Sequence, residues 1–286
     1  MTQSTPLQFK SVQDFLLHVR QELEANRLVL PTLPDIALKV RDAVSKGDIS
    51  AHELAAMIAT DTALSARLIQ ITNSPLYRGS MEIRNIQMAV TRLGNTTIRT
   101  LVTSLVMQQM FTPSSPLLGQ YFRLVWEQGV NVSSICRALV RFAPHLDADE
   151  AMLAGLIHPI GKLPILTLVE KIPEFRDSPS RLDKLLEKAH PHVGKIIMDA
   201  WQFPAELKQV AYEYVDFQRE HDGPADYVDL VQVAFLESIA GTDHPANRID
   251  CATVPAFAKL GLQANTEVME IEGVSEDIEL AQSLFL

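Results

Sequence analysis

The stretch AGLIHPIGKL, residues 154–163, decides how the chain is read. Ala154, Leu156 and Ile157 form an apolar helical turn that carries His158 inward, and Pro159, Gly161 and Pro164 then break the helix. A histidine at the inner end of a buried helix is a common start for a metal site. The next residue decides whether the site can be completed. A carboxylate at 159 could anchor or bridge metal ions; the proline that stands there cannot.

Working outward, Asp147 followed by Glu150 caps the helix that delivers His158. Before it, a long helix is expected from Tyr121 to Phe142, with Phe122, Val125, Trp126, Val130, Ile135 and Leu139 apolar and Pro144 beyond its end. After it come a helical run from Leu163 to Val169, a loop from Pro173 to Pro179, and a helix carrying Leu182, Leu185 and Leu186. His190-Pro191 opens a further helix through Val193, Ile197 and Trp201, and Pro204 opens another through Leu207, Val210, Ala211 and Tyr214. EHDGPADY (220–227) reads as a polar loop before the apolar helix VDLVQVAFLESIA (228–240), and residues 255–260 and 266–284 finish as helices.

The first half has the same character. Residues 2–26 hold an amphipathic helix with Val12, Phe15, Leu16, Val19 and Leu23 at helical spacing. LVLPTLPD (28–35) is an extended entry to a helix with Pro34 in its first turn, Ile36, Ala37, Val40 and Val44 on its inner face and Gly47 at its end. Ser50 with Glu53 is a capping box, Asp61 and Asn85 are N-caps, and Asn73-Ser74-Pro75 and Gly94 are stops. From Asn95 a fifth helix runs to Phe111. No segment alternates as a strand does. The expected fold is all-α, with TPSSPLLG (112–119) dividing an N-terminal helical subdomain, residues 1–112, from a second one, residues 113–286, on which it packs.

The composition is that of a folded globular chain: 286 residues, 47% hydrophobic and 21% charged. No uninterrupted apolar run reaches the roughly 18 residues that a membrane span needs, and the N-terminus lacks the basic start and apolar core of a secretion signal. Cys136 and Cys251 stand far apart with no ligand spacing around either, so both read as reduced core thiols and the expected compartment is the cytoplasm. Residues 1–112 carry 11 basic and 9 acidic side chains, whereas residues 113–286 carry 14 and 26. So acidic a second half repels phosphate backbones, and duplex nucleic acid is not an expected partner.

Taken on chemistry alone, His158, His190 and His192 are the metal-ligand candidates. A di-metal hydrolase needs such imidazoles plus a bridging carboxylate and a metal-activated water. The spacing His190-Pro-His192 points the two rings apart, which suits a helix cap better than a shared ligand. Arg67, Arg92 and Arg99 are candidates for an anion-binding groove, against the plainer reading of solvated helix faces. Asp61, Asn73, Ser74 and Asn85 have adequate readings as caps and turn formers. LVTSLVMQQMF (101–111) is core or, alternatively, a groove for a partner helix. There is no glycine-rich phosphate loop and no defensible Ser/His/Asp or Cys/His grouping.

AGLIHPIGKLPIL (154–166) resembles the AGLLHDIGKL signature of the HD superfamily of metal-dependent phosphohydrolases, with the aspartate replaced. LPTLPDIALKV (30–40), ELAAMIATDTALSARLIQITNSPLY (53–77) and AVTRLGNTTIRTLV (89–102) resemble the first part of the HDOD domain, the HD-related output domain of bacterial signalling proteins. Trp126, HPHVGKIIMDAWQFP (190–204) and LGL at 260–262 continue the likeness in order, so that it covers about residues 24–265.

The resemblance implies where a metal set would lie. Its first histidine falls at Gln128, its central one at His158, the partner aspartate at Pro159, the motif lysine at Lys162 and a further histidine at His190. A histidine pair expected near Glu213, Tyr214 and Val215 has no counterpart. Two neutral imidazoles give too few donors and no charge to offset a divalent cation. The resemblance therefore implies a non-catalytic signal-transduction module that binds a signalling protein in trans, with no cofactor expected. The alternatives are a residual phosphohydrolase or cyclic-dinucleotide phosphodiesterase holding Fe, Mn or Zn, and a regulator that holds a nucleotide, cyclic dinucleotide or other anion between the halves without turnover.

Overall fold

The computed structural model describes residues 9, 12–24, 31, 33–77, 79–111, 118–170, 172–263 and 268–285. Among them there are helices and turns and no strand. The N-terminal half is built on α5 (Ile86–Met110), against which α2 (Asp35–Ser45), α3 (Ala51–Ile58) and α4 (Thr62–Thr72) pack. Local chemistry sets these ends. Ser50 and Glu53 close the capping box, Asp61 accepts from Leu64 N at 2.9 Å, and Asn85 accepts from Met88 N at 2.9 Å. Gly94, at φ 81°, breaks α5 in two where the stop was expected. Pro34 is the N-cap of α2, one position earlier than its expected place in the first turn.

The second half is centred on α6 (Gly119–Leu139), which α7 (Ala148–Ile157) crosses closely. A Cβ on Gly155 would lie 2.3 Å from Ser133 Cα, so only glycine lets the two helices approach this far. Ser133 Oγ donates to Met152 O at 2.7 Å across the crossing. Then follow α8 (Lys162–Val169), α9 (Pro173–Arg176), α10 (Pro179–Ala200), α11 (Ala205–Glu213), α12 (Tyr227–Ser238), α13 (Pro255–Lys259) and α14 (Val274–Gln282). The segment 173–179, expected as a loop, contains the short α9 with Pro173 in its first turn. Residues 148–169, taken as one run, are apolar enough by composition to cross a membrane, but the run turns at 158–161 and most of it is buried in the fold.

One expectation around proline is corrected. His190-Pro191 does not open a helix: Pro191 lies inside the 22-residue α10. The bond and space it costs, about 3 kcal/mol in an exposed helix interior, are offset by burial of Ala189, His190, Pro191, Val193 and Ile197. α7 ends before Pro159, as expected, with His158 at right-handed helical angles (φ −52°, ψ −40°) despite the bias of a residue before proline toward extended backbone. The chain then passes through tight turns, with Ile160 N donating to Ile157 O and Lys162 N to Pro159 O, straight into α8.

Contacts between the halves are many. α1 (Val12–Glu24) packs on α10, in the second half, by burying Phe15 and Val19. α5 packs on α7, and α14 lies along α6. Most of the expected boundary, residues 112–117, and half of the 28–35 entry, residues 28–30 and 32, lie outside the described residues, as do residues 2–8, 10, 11, 25 and 26 of the first amphipathic segment.

Candidate functional site

His158 and His190 face one another's neighbourhood from the end of α7 and the middle of α10, 0% and 3% exposed. Their approach depends on Gly161, where a Cβ would fall 2.0 Å from His190 O. The glycines of the signature stretch therefore serve packing. His158 Nδ1 lies 2.5 Å from Gly155 O and His190 Nδ1 lies 2.6 Å from Leu186 O. A carbonyl only accepts, so each Nδ1 carries the proton and each Nε2 presents a lone pair. At His190 that lone pair accepts from the Tyr214 hydroxyl at 2.6 Å. At His158 it has no partner. The Tyr214 ring stands edge-on to His158, with centroids 4.9 Å apart, and Phe235 closes the far side at 6.0 Å.

Electrostatics keeps both rings neutral. Burial lowers His158 to about 3, and Lys162 adds to the effect. Burial likewise pushes His190 well below the usual histidine range, again helped by the Lys162 charge. The Lys162 ammonium is itself pushed by burial to about 8, against the pull of Glu187 and Asp183. It donates to Gln128 Oε1 at 3.0 Å. The positions Gln128, His158, Lys162 and His190 thus converge, and Pro159 packs its ring toward Gly129 of α6.

The divalent metal that the resemblance implies does not fit these donors. One imidazole lone pair is free and the other is occupied by Tyr214; among the described residues neither ring joins a group of three potential ligands, the nearby Glu187 and Asp183 act on Lys162, and that cation is already beside both rings. Tyr214 is the site residue that the sequence does not announce: it stands where the resemblance expects a histidine, and nothing local signals that a phenol fills the space.

Another cluster was not foreseen. Among the described residues, His221, Asp226 and Asp229 form a group of potential ligands with donor atoms within 4.8 Å of one another. It is occupied by protein cations. Arg219 reaches Glu213 at 2.7 Å, Asp226 at 2.6 Å and Asp229 at 3.6 Å. Lys259 Nζ donates to His221 O and Gly223 O, each at 2.9 Å. Burial raises the Asp226 carboxyl, but hydrogen bonds from Arg219 and the Asp229 backbone outweigh it and leave it below the usual range. This is a brace for the start of α12, where Asp226 and Asp229 form a capping box.

The three candidate groove arginines are not brought together. Arg67 donates to Leu284 O at 3.1 Å and to Gln70 at 3.2 Å. Arg92 bonds Met81 O. Arg99 pairs with Glu150 at 2.6 Å across the two halves. Beside that pair, Tyr77 donates to Asp149 Oδ1 at 2.6 Å and Arg137 pairs with the same carboxylate. Asn73 is more than a turn former: its amide accepts from Ile83 N at 2.8 Å and donates to Ile83 O at 2.7 Å, closing the loop that carries Tyr77.

Comparison with known proteins agrees with this architecture. A solved Shewanella amazonensis SB2B protein named "Putative metal-dependent phosphohydrolase" is 28% identical, with a TM-score of 0.82 over 96% of this chain and 99% of that one. A Geobacter sulfurreducens "HDOD domain protein with unknown function" is 21% identical with a TM-score of 0.69, again over 96% and 99%. A Treponema pallidum (strain Nichols) protein, named only as uncharacterized, is 22% identical over 189 residues; they are 61% of this chain and 35% of that protein, so the chain spans about a third of the length of this curated relative. The family model for the HDOD domain matches residues 30–216, from α2 through the Tyr214 that caps His190, and on that match the chain belongs to the HDOD domain family.

Proposed function

We propose that this chain is a non-catalytic regulatory module of bacterial signal transduction, working in the cytoplasm through contact with a signalling protein supplied in trans. The observation that carries this reading is the state of the HD positions. Pro159 stands in place of the bridging acid, and Tyr214 takes up the lone pair of His190. A metal-activated water needs open coordination positions around a charged donor set. Here Tyr214 takes the lone pair of His190 and Lys162 lies beside both rings, which leaves the single nitrogen His158 Nε2 without a partner. The family match adds support, since HDOD domains are HD-related output domains.

Metal analysis of the purified protein, with an assay for phosphate or linear dinucleotide release, tests the first half of the proposal. Substoichiometric Fe, Mn and Zn and no turnover are expected. Stoichiometric metal lost together with activity in His158→Ala would overturn it. Affinity capture from the native host tests the second half, with one reproducible protein partner expected and none counting against it. A residual metal-dependent phosphohydrolase is the second reading, favoured by the unpartnered His158 Nε2 and by the name of the Shewanella protein. The same metal analysis separates the two.

A further inference from the structure

Away from the histidines, a cavity of about 300 Å³ opens where the two halves meet. Arg41 of α2 and Arg99 of α5 reach it from one side, and Leu153 of α7 with Phe203 and Leu207 around the start of α11 form the other wall. Both arginine side chains are largely buried, at 16% and 21% exposure. Each is held in place by something other than a ligand. Arg41 bonds Trp201 O, and its Nε and Nη2 share one oxygen of Asp42. Arg99 Nη2 donates to one oxygen of Glu150, whose other oxygen accepts from Tyr227 at 3.1 Å.

The balance of donors and acceptors decides what the cavity can take. A guanidinium offers five N–H groups, and these bonds leave N–H groups on both arginines unspent. Thr100 and Thr103 also line the space, the Thr103 hydroxyl already donating to Arg99 O at 2.8 Å, as does Pro204 at the N-terminus of α11, which no side chain caps. Asp42 and Glu150 line the space with the two arginines, so the charges balance, and the unspent guanidinium N–H groups are the donors left at fixed positions next to an apolar wall. Gln202, on the same wall, is the only non-glycine among the described residues with a positive φ, at 54°. Such strain persists where surrounding structure holds it, and it concentrates at ligand clamps.

We propose that this cavity binds a small organic anion, its carboxylate or phosphate oxygens received between Arg41 and Arg99 and its body lying on Leu153, Phe203 and Leu207. Because the walls come from both halves, occupancy clamps them together. The anion is thus a chemical input to the regulatory module proposed above, although its binding can be measured whether or not a partner protein exists.

The test is a thermal-shift and calorimetric titration of the full chain with citrate, glutamate, AMP and GMP, with inorganic phosphate and adenosine as controls. A ligand of the folded state alone must raise the melting temperature. At least one organic anion is expected to do so more strongly than either control, with citrate or glutamate against AMP or GMP telling carboxylate from phosphate. Arg41→Gln removes a charged donor and should weaken that ligand at least about tenfold. Ser45→Phe, at the exposed rim, should block entry without touching the contacts between the halves. A chain that responds to none of the four anions, an equal response to adenosine or inorganic phosphate, or binding unchanged in Ser45→Phe would each overturn the assignment. The Ser45 variant decides the matter if Arg41→Gln fails to fold.

Discussion

The hydrogen bond from Tyr214 to His190 Nε2 spans 2.6 Å between two groups that water barely reaches. Deleting the hydroxyl strands a buried lone pair, so Tyr214→Phe should cost about 1–3 kcal/mol. Tyr214→Ala adds a cavity beside Phe235 and should cost about 3–5 kcal/mol. Urea midpoints of the two variants measure this; a Tyr214→Phe midpoint equal to the parent's would mean that the bond contributes nothing. The histidines also set a pH dependence. His158 is lowered from the 6.5 of a free imidazole to about 3, so below pH 6.5 the unfolded chain takes up a proton that the folded chain refuses. The contribution of this residue is therefore flat above that pH and falls by about 1.4 kcal/mol per unit as pH drops toward 3. His190, lowered in the same direction, steepens the fall. Denaturation at pH 7, 6 and 5 should show the slope, and His158→Gln should reduce it; a slope unchanged in that variant would show that His158 is not its source.

At the scale of elements, glycine sets the helix spacing that the site depends on. Gly161→Ala would drive a Cβ into the backbone of α10 at His190, where a flexible side chain cannot yield. Overpacking against backbone should cost about 3 kcal/mol or more, with α10 displaced. Expression and chemical denaturation of the variant check this, and parental stability would show that α10 shifts freely. The elements themselves were legible where their chemistry is local. Ser50 with Glu53, Asp61 with Leu64 and Asn85 with Met88 act over three residues, and each stands where it was expected. Pro191 was misread because burial against other helices, which no local pattern shows, overrides its preference. The site was half legible for the same reason. The family motif locates His158, Lys162 and His190, whereas Tyr214 meets His190 from 24 residues away and Tyr77 meets Asp149 from 72.

For the whole molecule, the contacts that join residues before 112 to residues after 117 set the expected cooperativity. Ties run between the halves in several places: α1 on α10, Arg41 on Trp201 O, Tyr77 and Arg99 on the first turn of α7, and the C-terminal residues. The last tie is the most diagnostic. Phe285 is 2% exposed and stands edge-on to Trp126 of α6 at 6.0 Å, while its carbonyl accepts from Gln108 of α5. Its neighbour Leu284 offers its carbonyl to Arg67 of α4. One side chain thus fills a space in the second half while the adjoining backbone satisfies polar groups of the first. Units sharing this much buried surface should unfold together, so helical circular dichroism and tryptophan fluorescence should report one coincident transition. Phe285→Ala should lower stability by about 3–5 kcal/mol, and should shift that single transition without splitting it. Two resolved transitions in the parent chain would mean that the halves stand independently; a cavity bridging them could then hold its ligand without clamping them.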